Sequence, residues 1–94
     1  MASRLSEVVR SERLCAIEKE VREILGARVD EVIAHRLAIY VLSQRYRRLS
    51  LSQIVEDAGH GSHADVLFTL RIVKVYMAED AALAEKVQKL CGVT

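Results

Sequence analysis

The residues with chemistry to offer fall in two places. Arg45-Tyr46-Arg47-Arg48 sets three guanidinium groups around one aromatic ring, and Ser62, His63 and Asp65 follow a little further along. Two readings of the arginines stand side by side. They are favourable cations at a helix C-terminus, or they contact the phosphates of a nucleic acid. Ser, His and Asp together invite comparison with a hydrolytic triad. Ser62 and His63 are sequence neighbours, however, and that places no base against a nucleophile. His60 and His63 lie three apart near Asp65, but Cys15 and Cys91 are far away and no second histidine pair exists, so a metal set is incomplete. No catalytic centre, no metal and no cofactor are expected. The hydroxyl, imidazole and carboxylate read instead as helix caps or groove-facing polar groups.

The elements that position these groups follow from periodicity. Ser50-Leu51-Ser52-Gln53 is a capping box, in which the serine accepts from the third helical N–H while the glutamine reaches back. Leu51, Ile54 and Val55 then give a short helix one apolar face, and Gly59 suits the left-handed residue that closes it. Ser62 opens a longer helix with Asp65 three positions on and Val66, Leu70, Val73 and Met77 at helical spacing. Helix, glycine-marked turn, helix is the pattern of a helix-turn-helix unit.

Upstream, Leu14, Ile17, Val21 and Ile24 predict a first helix from Glu12 to Gly26. Its other face, Glu18 to Glu23, reads as solvated, with Glu18 and Arg22 at an i, i+4 spacing. A second helix starts near Val29 or Asp30, buries Val32, Ile33, Leu37, Tyr40 and Val41, and runs unbroken into the arginine cluster. After the helix-turn-helix, Asp80 caps a last helix with Leu83, Val87, Leu90 and Cys91 inward and Gly92 at its end. Met1 to Ser11 reads either as a frayed extension or as the first turns of a longer helix. The expectation is an all-α fold, a small five-helix domain spanning residues 1–94.

Composition narrows the class. An apolar fraction of 51% excludes a disordered chain, and no apolar run reaches the length needed to span a bilayer. The charged amino terminus lacks the apolar stretch of a signal peptide, so a cytoplasmic protein is expected. Cys15 and Cys91 then read as reduced, small, buried residues, with a bridge between them as the open alternative. Residues 1–48 carry ten Lys and Arg against seven Asp and Glu, a net +3; residues 49–94 carry four against six, a net −2. The half with the helix-turn-helix is the acidic one, which is unusual for a major-groove reader.

From about Leu14 to Leu90 the chain resembles the C-terminal duplex-DNA-binding domain of the bacterial replication initiator DnaA. His35-Arg36-Leu37-Ala38-Ile39-Tyr40-Val41-Leu42 sits on the family's Arg-Gln-x-Ala-Met-Tyr-Leu helix. Leu49-Ser50-Leu51-Ser52-Gln53-Ile54 matches Leu-Ser-Leu-Pro-Glu-Ile, and Gly59 to Leu67 lies without a gap on Gly-Gly-Arg-Asp-His-Thr-Thr-Val-Leu, followed by the shared Arg71. The resemblance implies a standalone version of that domain, without the initiator's ATPase module. Of the family's DNA-contacting Arg, Asp, His and two Thr, this chain keeps His63 and replaces the others with Gly61, Ser62, Ala64 and Asp65. It also runs from Val32-Ile33 directly into Ala34-His35, without the family's arginine-bearing minor-groove loop.

Two functions follow. In the first, Arg45, Arg47, Arg48 and Ser50 hold phosphates of double-stranded DNA, while Ser62, His63, Asp65 and also Thr69 face the groove and Arg71 and Lys74 add charge. In the second, Phe68, Ile72, Val75 and Tyr76 make the long helix apolar nearly all round, and that face packs on a second copy, as a homodimer, or on another protein. Coverage of this face by Leu5 and Val8 of the amino terminus is the alternative. Neither function involves a membrane or an enzyme.

Overall fold

The computed structural model describes residues 10–26, 28–59 and 61–92. The expectations for Leu5, Val8 and His60 lie outside these residues. Five helices follow one another: α1 (Glu12–Leu25), α2 (Glu31–Arg45), α3 (Leu51–Ala58), α4 (His63–Glu79) and α5 (Ala81–Leu90), with no strand among the described residues. The all-α expectation holds.

Each helix starts on a side-chain cap. Ser11 Oγ accepts from the Leu14 N–H, Asp30 Oδ1 from the Val32 N–H and Asp80 Oδ1 from the Leu83 N–H. Ser50 with Gln53 and Ser62 with Asp65 both close complete capping boxes, each cap contributing on the order of 1 kcal/mol. Gly59 ends α3 with φ 82° and ψ −1°, the left-handed conformation that costs glycine no steric penalty. Asp80 does double duty: it closes α4 and caps α5, so no connecting residue separates them from it.

The helix that organises the core is α2. Alone of the five, it packs against all four others. Ala34, Leu37, Ala38, Val41 and Leu42 are fully buried along it, beside Leu14, Ile17 and Val21 of α1, Ile54 of α3, Val66 and Val73 of α4 and Val87 of α5. Small alanines at 34 and 38 bring neighbouring backbones close, while the branched residues fill the space between.

Several expectations change here. Val32 is 56% exposed, because the buried face of α2 runs through Ala34, Leu37, Ala38 and Val41 rather than through its first turn. Ile24 is exposed, one residue before α1 ends. Glu18 is buried, and instead of Arg22 it meets Arg10 and His35. Cys15 is exposed and Cys91 buried, and both are free thiols.

Candidate nucleic-acid interface

The turn from α2 into α3 carries Arg45 to Arg48, and the structure divides these arginines by role. Arg45 Nε donates to the Leu90 carbonyl at 2.6 Å, and Nη2 donates to Glu20 Oε1 at 2.7 Å. That guanidinium therefore ties the end of α2 to α1 and to the last carbonyls of α5. The ion pair raises the Arg45 pKa and, as the main cause on the other side, holds the Glu20 carboxyl below its usual value. Three of the five Arg45 donors are thus engaged by Glu20 and the Leu90 carbonyl, which leaves it less available to a phosphate than Arg47 and Arg48. Arg47 is exposed and makes a long 3.5 Å contact with Gln44 Oε1. Arg48 is exposed and has no ion pair among the described residues.

The starts of α3 and α4 lie together. Ser52 Oγ and His63 Nε2 are 2.9 Å apart, joining the first turn of one helix to the first residue of the next. Ser52 is a residue the sequence reading missed, because it reads as an interior position of the capping box; its exposed polar side chain beside the cap was the available signal. Near a helix start the first N–H groups have no intrahelical partner and the macrodipole favours anions. Two such starts are therefore presented together, with Arg47 and Arg48 on the turn that leads into the first.

Other expected contacts are placed elsewhere. Ser50 Oγ accepts from the Gln53 N–H at 3.2 Å, so this hydroxyl serves α3. Asp65 Oδ2 accepts from the Ser62 N–H at 2.9 Å and from its hydroxyl at 3.2 Å. Ser62 and Asp65 thus turn toward each other, and the carboxylate sits where an incoming phosphate would otherwise find the start of α4. Gly61 has φ +95°, and a β-carbon there would lie 3.3 Å from Asp65 Oδ2. An arginine, as the resemblance has at this place, would be strained. Thr69 is only 9% exposed and faces the core rather than a groove. Arg71 and Lys74 are exposed on α4.

The flank of α4 also differs from expectation. Ile72 and Tyr76 pack against the core, and Tyr76 Oη accepts from Arg36 Nη1 at 2.7 Å. Arg36 also lies over the Phe68 ring, 5.6 Å from its centroid. Phe68 (52% exposed) and Val75 stay open, joined by Leu67, which the sequence reading had not counted. Arg36 of α2 therefore engages Tyr76 and Phe68, a pairing that sequence spacing does not reveal.

Among the described residues no group of three or more His, Cys, Asp and Glu is arranged to hold a metal ion, and no helix is long and apolar enough to cross a membrane. Comparison with curated proteins finds the chromosomal replication initiator protein DnaA of Methylacidiphilum infernorum (isolate V4), 33% identical over 63 residues. This supports a DnaA-like relationship. The match takes in 67% of this chain, and the chain spans about 14% of the length of that DnaA. No protein-family model matches, and no solved structure does.

Proposed function

We propose that this chain is a DnaA-like, double-stranded-DNA-binding module that holds phosphates more than it reads bases. The initiator likeness supports the choice of DNA, and α3 with α4 then serves as its helix-turn-helix. The single observation that carries the mode of binding is the 2.9 Å contact between Ser52 and His63. It sets His63 beside the start of α3, next to the exposed guanidinium groups of Arg47 and Arg48, while the Asp65 carboxylate occupies the start of α4. In this reading Arg47 and Arg48 meet phosphate oxygens, His63 is the one groove-facing group kept from the family pattern, and Arg71 adds an outer contact. Base discrimination is weak because Ser62 and Asp65 are committed to each other. Phosphate contacts position a protein without carrying sequence information.

Fluorescence anisotropy tests the reading, with one labelled duplex carrying an initiator box and one of random sequence. Binding of both within a few-fold of each other is expected. Three phosphate contacts would weaken it roughly 40-fold between about 50 and 200 mM salt, through counterion release. Absence of binding at low salt overturns the proposal, and strong preference for the box overturns its weak-discrimination part.

A second reading, a protein-interaction surface on the same fold, is favoured by Leu67, Phe68 and Val75, exposed on α4. Three such side chains stay within the few hundred Å² of apolar patch that monomers commonly carry. For that reason it ranks second. Sedimentation of a monomer at high concentration would remove its homodimer form.

A further inference from the structure

The turn that carries Arg47 and Arg48 also walls a cleft of about 600 Å³, between the end of α2 and the start of α3. Tyr46, Arg47, Arg48, Gln44 and Gln53 line it. Tyr46 is 41% exposed although it is one of only four aromatic residues in the chain. One face of its ring is covered: Arg13 lies over it, 5.0 Å from the centroid, and Arg13 Nε donates to Asp57 Oδ2 at 2.6 Å. The fold thus anchors a partly exposed aromatic ring beside two cations that it does not pair with carboxylates. Phosphate contact in a duplex can use the Tyr46 hydroxyl but leaves the flat face of its ring without a task, since bases inside a duplex are stacked on one another.

We infer that the Tyr46 cleft takes an unpaired nucleotide, its base stacked on the Tyr46 ring and its phosphates on Arg47 and Arg48. The inference rests on the proposed phosphate contact of these two arginines and extends it from duplex DNA to a duplex with a single-stranded end. Stacking on an aromatic ring tolerates any base, because every base has a π-face. Volume and chemistry agree: the cleft accommodates one base and its sugar, and the amides of Gln44 and Gln53 are at its wall. Arg13 acts here as a positioning residue, since it holds the ring and need not touch the strand.

The test compares a blunt duplex with the same duplex bearing a short single-stranded thymidine tail, by anisotropy at one fixed salt concentration. Wild type, Tyr46→Phe and Tyr46→Leu are measured, with melting curves to establish that each is folded. The tail should tighten wild-type binding by roughly 5- to 100-fold. Tyr46→Phe should keep that gain, and Tyr46→Leu should lose it while binding the blunt duplex as wild type does. Equal binding of blunt and tailed duplexes by wild type overturns the inference and leaves the duplex reading standing. Equal loss on both duplexes in Tyr46→Leu also overturns it, since the ring would then serve the fold or the duplex. Failure of wild type to bind either duplex removes the duplex reading and this inference together. Thymidine monophosphate is the remaining arm: if it abolishes the tail gain at micromolar concentration, the cleft belongs to free nucleotides and the strand assignment falls.

Discussion

Arg45 and Arg48 lie one helical turn apart in sequence and do opposite things. Arg45 gives three of its donors to Glu20 and the Leu90 carbonyl, tying the ends of α2 and α5 to the body of α1. Arg48, with Arg47 beside it, reaches into solvent from the turn before α3. The same division runs through the N-terminal half. Arg10 is paired with Glu18 and Arg13 with Asp57, while Arg36 is turned onto Tyr76 and Phe68. The ten cations of residues 1–48 are therefore not equally free to meet a polyanion. Placement decides which cations remain available, and Arg47 and Arg48 are two that remain so side by side, on the turn before α3.

The widest separation between the two kinds of arginine should appear in stability. Arg45→Ala removes charged hydrogen bonds that join three helices and should cost roughly 2 kcal/mol. Thermal melting checks this. At about 4–8 °C per kcal/mol for a domain of this size, the midpoint should fall by about 8–16 °C. Arg47→Ala and Arg48→Ala should leave the midpoint nearly unchanged. Each should instead weaken DNA binding on every sequence and reduce the salt slope by about 1. If Arg45→Ala melts like wild type, the contrast between the two roles collapses.

Acid should break the internal pairs and spare the turn. Burial opposes ionisation of Glu18, but hydrogen bonds from His35 and Arg10 outweigh it and hold the carboxyl below its usual value of 4.5. A carboxyl depressed in the folded state contributes stability above its unfolded pKa, and that stability is lost as pH falls through the folded value. Chemical denaturation should therefore show stability dropping below about pH 4.5. Glu18→Gln should be less stable at neutral pH and should flatten that acid-side slope. A slope unchanged by the substitution would mean that other carboxyls govern it.

The smallest expected effect belongs to Asp65. Asp65→Asn keeps a side-chain oxygen for the Ser62 N–H but removes a charge from the start of α4, at a cost of about 0.3–1 kcal/mol in stability. Duplex affinity should rise a few-fold at low salt, and the gain should shrink as salt screens the charge. Unchanged affinity in an anisotropy titration would place the start of α4 away from the phosphates.

Local signals were legible in the sequence, and pairings across the fold were not. The caps at Ser50, Ser62 and Asp80 and the closing turn at Gly59 were readable, because each depends on residues within four positions. So were the five helices, since apolar spacing survives in a single strand of text. Glu18 could not be read correctly: its nearest cation in sequence is Lys19 or Arg22, but its partners come from residue 10 and from the next helix. Arg36 and Tyr76 lie forty positions apart, and no periodicity links them. The candidate site divides in the same way. Arg47, Arg48 and His63 stand out by type as candidates, while the Ser52–His63 contact and the pairing of Arg45 with Glu20 and Leu90 emerge only when the helices are packed.

Asp80 has a mechanical consequence. With one residue ending α4 and beginning α5, that junction has no slack, and α5 is in turn pinned to α1 and α2 through the Leu90 carbonyl and Arg45. A tilt of α4 has to carry α5 along and strain that pin. The junction therefore couples the two helices, and α4 and α5 would move as one piece in any partner's grip.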